Sequence, residues 1–103
     1  MLISKKYDAG DIVSFKIVTT EEVVGKIVAV TNDGFVVNRP CTIIPSQQGI
    51  GLMQSLISAD INNDILLRNE HVIMHAKSID DIAAHYIRTT TGVQVSPKGG
   101  LII

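Results

Sequence analysis

Residues 10–40 read GDIVSFKIVTTEEVVGKIVAVTNDGFVVNRP, the pattern of three short strands bent around two tight turns. In Ile12–Val18, Val13, Phe15 and Ile17 alternate with Ser14 and Lys16, which is the period of a half-buried strand. Thr19–Glu22 connects this strand to a second, Val23–Val30. Gly25 lies inside the second strand, where glycine marks a bulge, a sharp bend or a close backbone approach, the means by which a small sheet curls into a barrel. Thr31-Asn32-Asp33-Gly34 sets Asp-Gly between β-branched runs, a strong hairpin signal. The third strand starts at Phe35 and is expected to stop near Pro40, because proline cannot donate to the ladder.

Outward from that meander the pattern loosens. Cys41–Ile44 is extended and apolar, and Pro45–Gly51 (PSQQGIG) reads as an exposed loop rich in turn formers. Leu52–Ser58 alternates weakly, as a fourth strand would, and a loop follows over Ala59–Asp64. Ile65–Leu67 resumes the strand pattern, Arg68-Asn69-Glu70 is a tight turn, and His71–Ala76 is the fifth strand. Ser78–Thr91 is the one good helix, with Ser78 as N-cap, Asp81 completing a capping box and Gly92 as the stop. Its apolar stripe is Ile79, Ile82, Ala83, Tyr86 and Ile87, to be packed on the barrel or on a neighbouring subunit. The expected organisation is one domain, with a leader over 1–9, a barrel over 10–77 holding a long 41–64 segment, a helix over 78–91 and a tail over 92–103.

Composition narrows the function classes. Charged residues are 18% of the 103, against about 25% in an average soluble domain, and mean hydropathy is positive. So uncharged a small domain is expected to hide apolar surface against copies of itself or a partner. The formal net charge of −1 supplies no global field for nucleic acid or an anionic membrane. Cys41 is the only cysteine, so an internal disulfide and a cysteine-built metal site are excluded, and its place in an apolar run is that of a small buried hydrophobe. MLISKKYDAG lacks the long apolar stretch of a signal peptide, and no apolar run is long enough to span a membrane, which sets the expectation of a cytoplasmic protein.

No catalytic constellation is legible. His71 and His75, four apart in a strand, would share a face but stand about 13 Å apart, too far for one ion, and His85 sits near the polar side of the helix. Asp60-Ile61-Asn62-Asn63-Asp64 opens like a calcium loop, but the glycine and glutamate positions that follow hold Ile65 and His71. Glu21–Glu22 lie in a turn and Asp80–Asp81 in the first turn of a helix, where they favour the macrodipole, and neither pair has a dyad partner. Gly49-Ile50-Gly51 has no following helix and lysine to cradle phosphate, and no serine sits in a nucleophile elbow. An enzyme is therefore not expected, and neither is a cofactor or metal. Arg68, at a turn tip, carries a rigid fork that can stack on a base and bond its edge or a phosphate.

The order of elements, three meandering strands with a glycine in the second and two more joined by an arginine-bearing turn, resembles the Sm-like (LSm/Hfq-type) family. The first Sm motif is matched by Gly10-Asp11-Ile12-Val13, the alternation through Val18, and Val24-Gly25-Lys26-Ile27. The second is similar to Ile65-Leu66-Leu67-Arg68-Asn69-Glu70-His71-Val72-Ile73. The arrangement, barrel then terminal helix, resembles short Sm-like proteins of bacterial viruses. The resemblance covers residues 10–77 and implies a mainly β fold: a strongly bent five-stranded antiparallel Sm-like (SH3-like) small barrel, here with one C-terminal helix. It also implies a homo-oligomeric ring of about five to seven copies closed by edge-strand pairing. The ring would bind single-stranded, U- or A-rich RNA in RNA metabolism or chaperone-like work. Carried over by position, Arg68 would stack on a base with Glu70 beside it, Asn69 stands where the family has glycine, and Asn32 and Asp33 belong to the other RNA-facing turn. Counted from Gly25, the family's aspartate and base-reading asparagine positions hold Thr31 and Phe35. The alternative from a different class is a homo-oligomeric protein-interaction scaffold without an RNA role, using Pro45–Gly51 and the helix.

Overall fold

Six strands, one 3-10 turn and one helix account for most of residues 7–91, which are the residues the computed structural model describes. They are β1 (Ile12–Ile17), β2 (Glu22–Val30), β3 (Gly34–Ser46), β4 (Gly49–Gln54), β5 (Asp64–Arg68), a 3-10 turn (Asn69–His71), β6 (Val72–Lys77) and α1 (Asp80–Thr90). Every pairing is antiparallel, in the order β4-β3-β2-β1-β6, with β5 also on β3. β4 and β5 share one edge of β3: β5 takes Gly34 to Asn38 and β4 takes Cys41 to Ser46.

The alternation in the sequence sorts side chains to two faces. Val13, Phe15, Ile27, Phe35 and Val37 fill one core, with Ile17, Ile65, Leu67 and Val72 packed against it. Strands β1, β2, β3, β5 and β6 all contribute, so the sheet bends around this core. The Phe15 and Phe35 rings meet edge to face at 5.0 Å. The opposite face is covered by α1. Tyr86 packs with Val24 and Cys41, flanked by Ile12, Ile43, Leu52 and Ile82. Burying a tyrosine requires a partner for its hydroxyl, and Tyr86 Oη donates to the Asn38 carbonyl at 2.7 Å. Burial pushes the Tyr86 hydroxyl up to about 12 and the Cys41 thiol up to about 11.

The barrel reading is met in part. The sheet is antiparallel, bent and capped by a C-terminal helix, but it has six strands. Among the described residues β5 and β6 do not pair, so the sheet is not closed. The largest correction is β3, which does not stop at Pro40 but runs through it to Ser46. The register against β2 shifts between Val24 and Lys26, so Pro40 falls in a bulge, where no ladder donor is needed. Arg39 takes φ +52 there. Gly25 faces that bulge, and a Cβ on it would stand 3.1 Å from Val37 Cβ, which explains the glycine by close approach. Pro45 lies past the last β2 pair, Val23 with Thr42, where β3 has only one neighbour. The expected loop Pro45–Gly51 is instead strand around a two-residue turn at Gln47-Gln48, with Ser46 opposite Gly49. The fourth strand accordingly ends at Gln54 rather than Ser58.

At the helix, Ile79 is the N-cap and no side chain caps it. The Ser78 hydroxyl bonds the Ser14 hydroxyl at 2.7 Å instead, and Ser78 N donates to the Ile12 carbonyl at 3.0 Å. The capping box gives way to a clamp holding the helix start on β1. The apolar stripe is used in part: Tyr86 is buried and Ile82 and Ala83 are half-buried, while Ile79 is 69% exposed and Ile87 is exposed. Gly92, the 1–9 leader as far as residue 6, and the 92–103 tail lie outside the described residues.

Candidate functional site

Two turns meet at the end of the sheet where β3 begins and β5 ends. The first, Thr31–Gly34, is closed by Thr31 N donating to the Gly34 carbonyl at 2.8 Å. Thr31 Oγ1 accepts from the backbone N–H of Asp33 and Gly34, both at 3.2 Å, a hydroxyl-stabilised turn. The second turn is Arg68 and the 3-10 segment behind it. Asn69 joins the two: its backbone N–H donates to the Asp33 carbonyl and its Nδ2 to the Asn32 carbonyl, both at 2.9 Å. Gly34 pairs with Arg68 in the β3–β5 register, and no larger residue fits there, since a Cβ would lie 2.2 Å from the Leu67 carbonyl oxygen. Asn32, Asp33, Arg68, Asn69 and Glu70 therefore form one exposed patch, although the two turns are far apart in sequence.

Arg68 is half exposed, and its Nε donates to Glu70 Oε2 at 2.9 Å. That hydrogen bond and the Glu70 charge hold the guanidinium above its ordinary range. Glu70 is held below the usual carboxylate range, first by its own backbone N–H and then by Arg68. The guanidinium is thus paired through Nε and half exposed, which leaves it available for stacking. With Asp33 counted, the patch carries two acids and one base, so it can offer a stacking plane and polar edges but little attraction for phosphate.

The other sequence candidates are not brought into this patch. Phe35, at the family's base-reading position, is only 5% exposed and lies in the core. Thr31 spends its hydroxyl on its own turn. His71 belongs to the 3-10 turn rather than to β6, so the same-strand pairing of His71 with His75 does not hold. His75 packs edge to face on Phe35 at 4.8 Å, with its Nδ1 2.6 Å from Tyr7 Oη. In the Asp60–Asp64 segment, Asp60 caps the Asn62 N–H at 2.9 Å and Asp64 accepts from Asn38 at 3.1 Å, an Asx turn and a cross-strand pair. No group of three or more metal-binding side chains occurs among the described residues.

Arg39 is the residue that the sequence reading missed. Its Nη1 donates to the Thr90 carbonyl and its Nη2 to Asn62 Oδ1 at 3.0 Å, which ties β3, the 55–63 loop and the end of α1 together. Its Nε is buried without a hydrogen-bond partner among the described residues. A glycine at 25 facing Asn38-Arg39-Pro40 was the available signal for the bulge that turns this side chain inward. Among the described residues no helix is long and apolar enough to cross a membrane. The chain matches no family model, and no curated protein matches it.

Proposed function

We propose that this chain is a non-enzymatic Sm-like subunit that assembles with copies of itself into a ring of about five to seven members and presents the Asn32/Asp33/Arg68/Asn69/Glu70 patch to single-stranded RNA. One observation carries the reading. β5 and β6 are consecutive in the chain but lie on opposite sides of one bent sheet, β5 beside β4 on the far edge of β3, and they do not pair with each other among the described residues. Both strands carry exposed apolar side chains, Leu66 on β5 and Ile73 and Met74 on β6, Met74 at 62%. The charges on these strands, Asp64, Arg68 and Lys77, stand at their ends, an apolar edge between them invites a strand, and one copy's β5 can take the next copy's β6 until the ring closes. The joined turns would then repeat around the ring, each offering one guanidinium plane to a base. Stacking contributes about 1–3 kcal/mol per base, so Arg68→Ala should weaken oligo-U or oligo-A binding roughly 5-fold or more in a filter assay while assembly mass is unchanged. Unaltered affinity would remove Arg68 from the site.

A second reading, a protein-interaction scaffold without RNA, is favoured by one specific observation. Arg68 is already paired with Glu70, and the patch has a surplus of negative charge. Exposed Ile79 at the N-cap of α1 and Ile87 on α1 would then be the docking side chains. An assembly of the expected mass that takes up no oligo-U or oligo-A selects this reading.

A further inference from the structure

Residues 41–59, CTIIPSQQGIGLMQSLISA, contain no Asp, Glu, Lys, Arg or His. The fold turns this segment into the second half of β3, the β4 hairpin and the first part of the following loop. Cys41, Ile43 and Leu52 pack with Tyr86, but much of its apolar surface is left over. Ile44, Ile50, Met53, Leu56 and Ile57 are all exposed, Ile57 at 68%. β4 pairs with β3 from Gln54 to Gly49 without a register shift, and its other edge has no partner among the described residues. Natural edge strands are guarded by lysine, proline, a bulge or an inward charge. Gly49–Gln54 (GIGLMQ) has none of these.

What fits such an edge follows from its chemistry. Its free N–H and C=O groups call for another extended strand. The strand itself gives a charged partner nothing to pair with; Lys16, Glu21 and Glu22 line the groove beside Met53 but belong to β1, β2 and the turn between them. A second copy meets both conditions, since it brings an equally uncharged strand of the same length. Antiparallel pairing about a two-fold axis lets each patch cover the other. We propose that β4 of one copy pairs antiparallel with β4 of a second copy, burying Ile50 and Met53 of both across a two-fold contact. This contact uses a different strand from the β5 and β6 edges and does not rest on RNA binding. Combined with a ring, it joins two rings into a double ring.

The test is the native mass of the full chain compared with Met53→Lys, which sets two ammonium groups into the contact, and with Ile73→Glu, which disables the β6 edge. The expected result is that Met53→Lys halves the wild-type assembly mass and Ile73→Glu leaves a pair of chains. A wild type that is itself only a pair, split by Met53→Lys, upholds the β4 contact and refutes the ring. Equal masses for wild type and a folded Met53→Lys overturn the β4 contact. Should that variant not fold, hydrogen exchange of the wild type decides. Slow exchange at both edges of Gly49–Gln54 in concentrated protein, lost on dilution, supports the contact, and fast exchange at the outer edge at every concentration refutes it.

Discussion

Alanine at Gly34 would place its Cβ 2.2 Å from the Leu67 carbonyl oxygen and 2.9 Å from Arg68 Cα. Both obstacles are backbone, so no side-chain rotation relieves them, and β5 must move away from β3 by about 1 Å to restore ordinary contact. The movement strains or breaks the Gly34–Arg68 pair and the Asn69 N–H bond to Asp33 beside it. Overpacking of this kind destabilises by about 1–3 kcal/mol, and each weakened hydrogen bond adds about 1 kcal/mol, so Gly34→Ala should lose about 3 kcal/mol. For a domain of this size that lowers the thermal midpoint by roughly 12 °C or more. Gly10→Ala is the matched control. It also has positive φ, +96, but nothing lies within 4 Å of the added Cβ, so only the backbone term of about 1 kcal/mol remains. Urea melts of both variants at one protein concentration make the comparison. A Gly34→Ala loss no larger than that of Gly10→Ala would refute the close approach that builds the joined-turn patch.

Tyr86→Phe deletes the hydroxyl that satisfies the Asn38 carbonyl and should lose about 1 kcal/mol without altering assembly, as read by urea melts and native mass. Cys41 and Tyr86 both have folded pKa values raised above their ordinary 9.0 and 10.0, to about 11 and about 12. The neutral forms are the ones the fold favours, so stability is full below pH 9 and declines from pH 9 to 12 as the unfolded chain ionises first. Melts from pH 7 to 11 should show that loss, and Tyr86→Phe should reduce its upper part.

The meander was legible because Ile12–Val18 alternates, Gly25 marks a close approach within the second strand, and Thr31–Gly34 holds both a hydroxyl and an Asp-Gly pair. The sequence also pointed to Arg68-Asn69-Glu70 as a turn. What could not be read was that Asn69 would bond the backbone of Asn32 and Asp33, since that contact depends on β5 crossing close over a residue without a Cβ. Pro40 misled because a proline stops a strand only where its missing N–H faces a partner, and the bulge at Arg39 removes that demand. Ser78 misled because a hydroxyl that caps a helix in isolation can be claimed by a nearer tertiary partner, here Ser14. Within the uncharged 41–59 segment, Pro45–Gly51 looked like a loop because Pro45, Gly49 and Gly51 signal turns, while the β3–β4 pairing that makes it a hairpin is a tertiary fact.

The self-association of this chain is tested most directly by native mass spectrometry of the wild type beside Ile73→Glu. The expected species is a closed assembly of about five to seven copies, or twice that number with the β4 contact made, which Ile73→Glu breaks down. A wild-type monomer, or a mass that Ile73→Glu leaves intact, would contradict the assignment of β5 and β6 as the edges that join one subunit to the next.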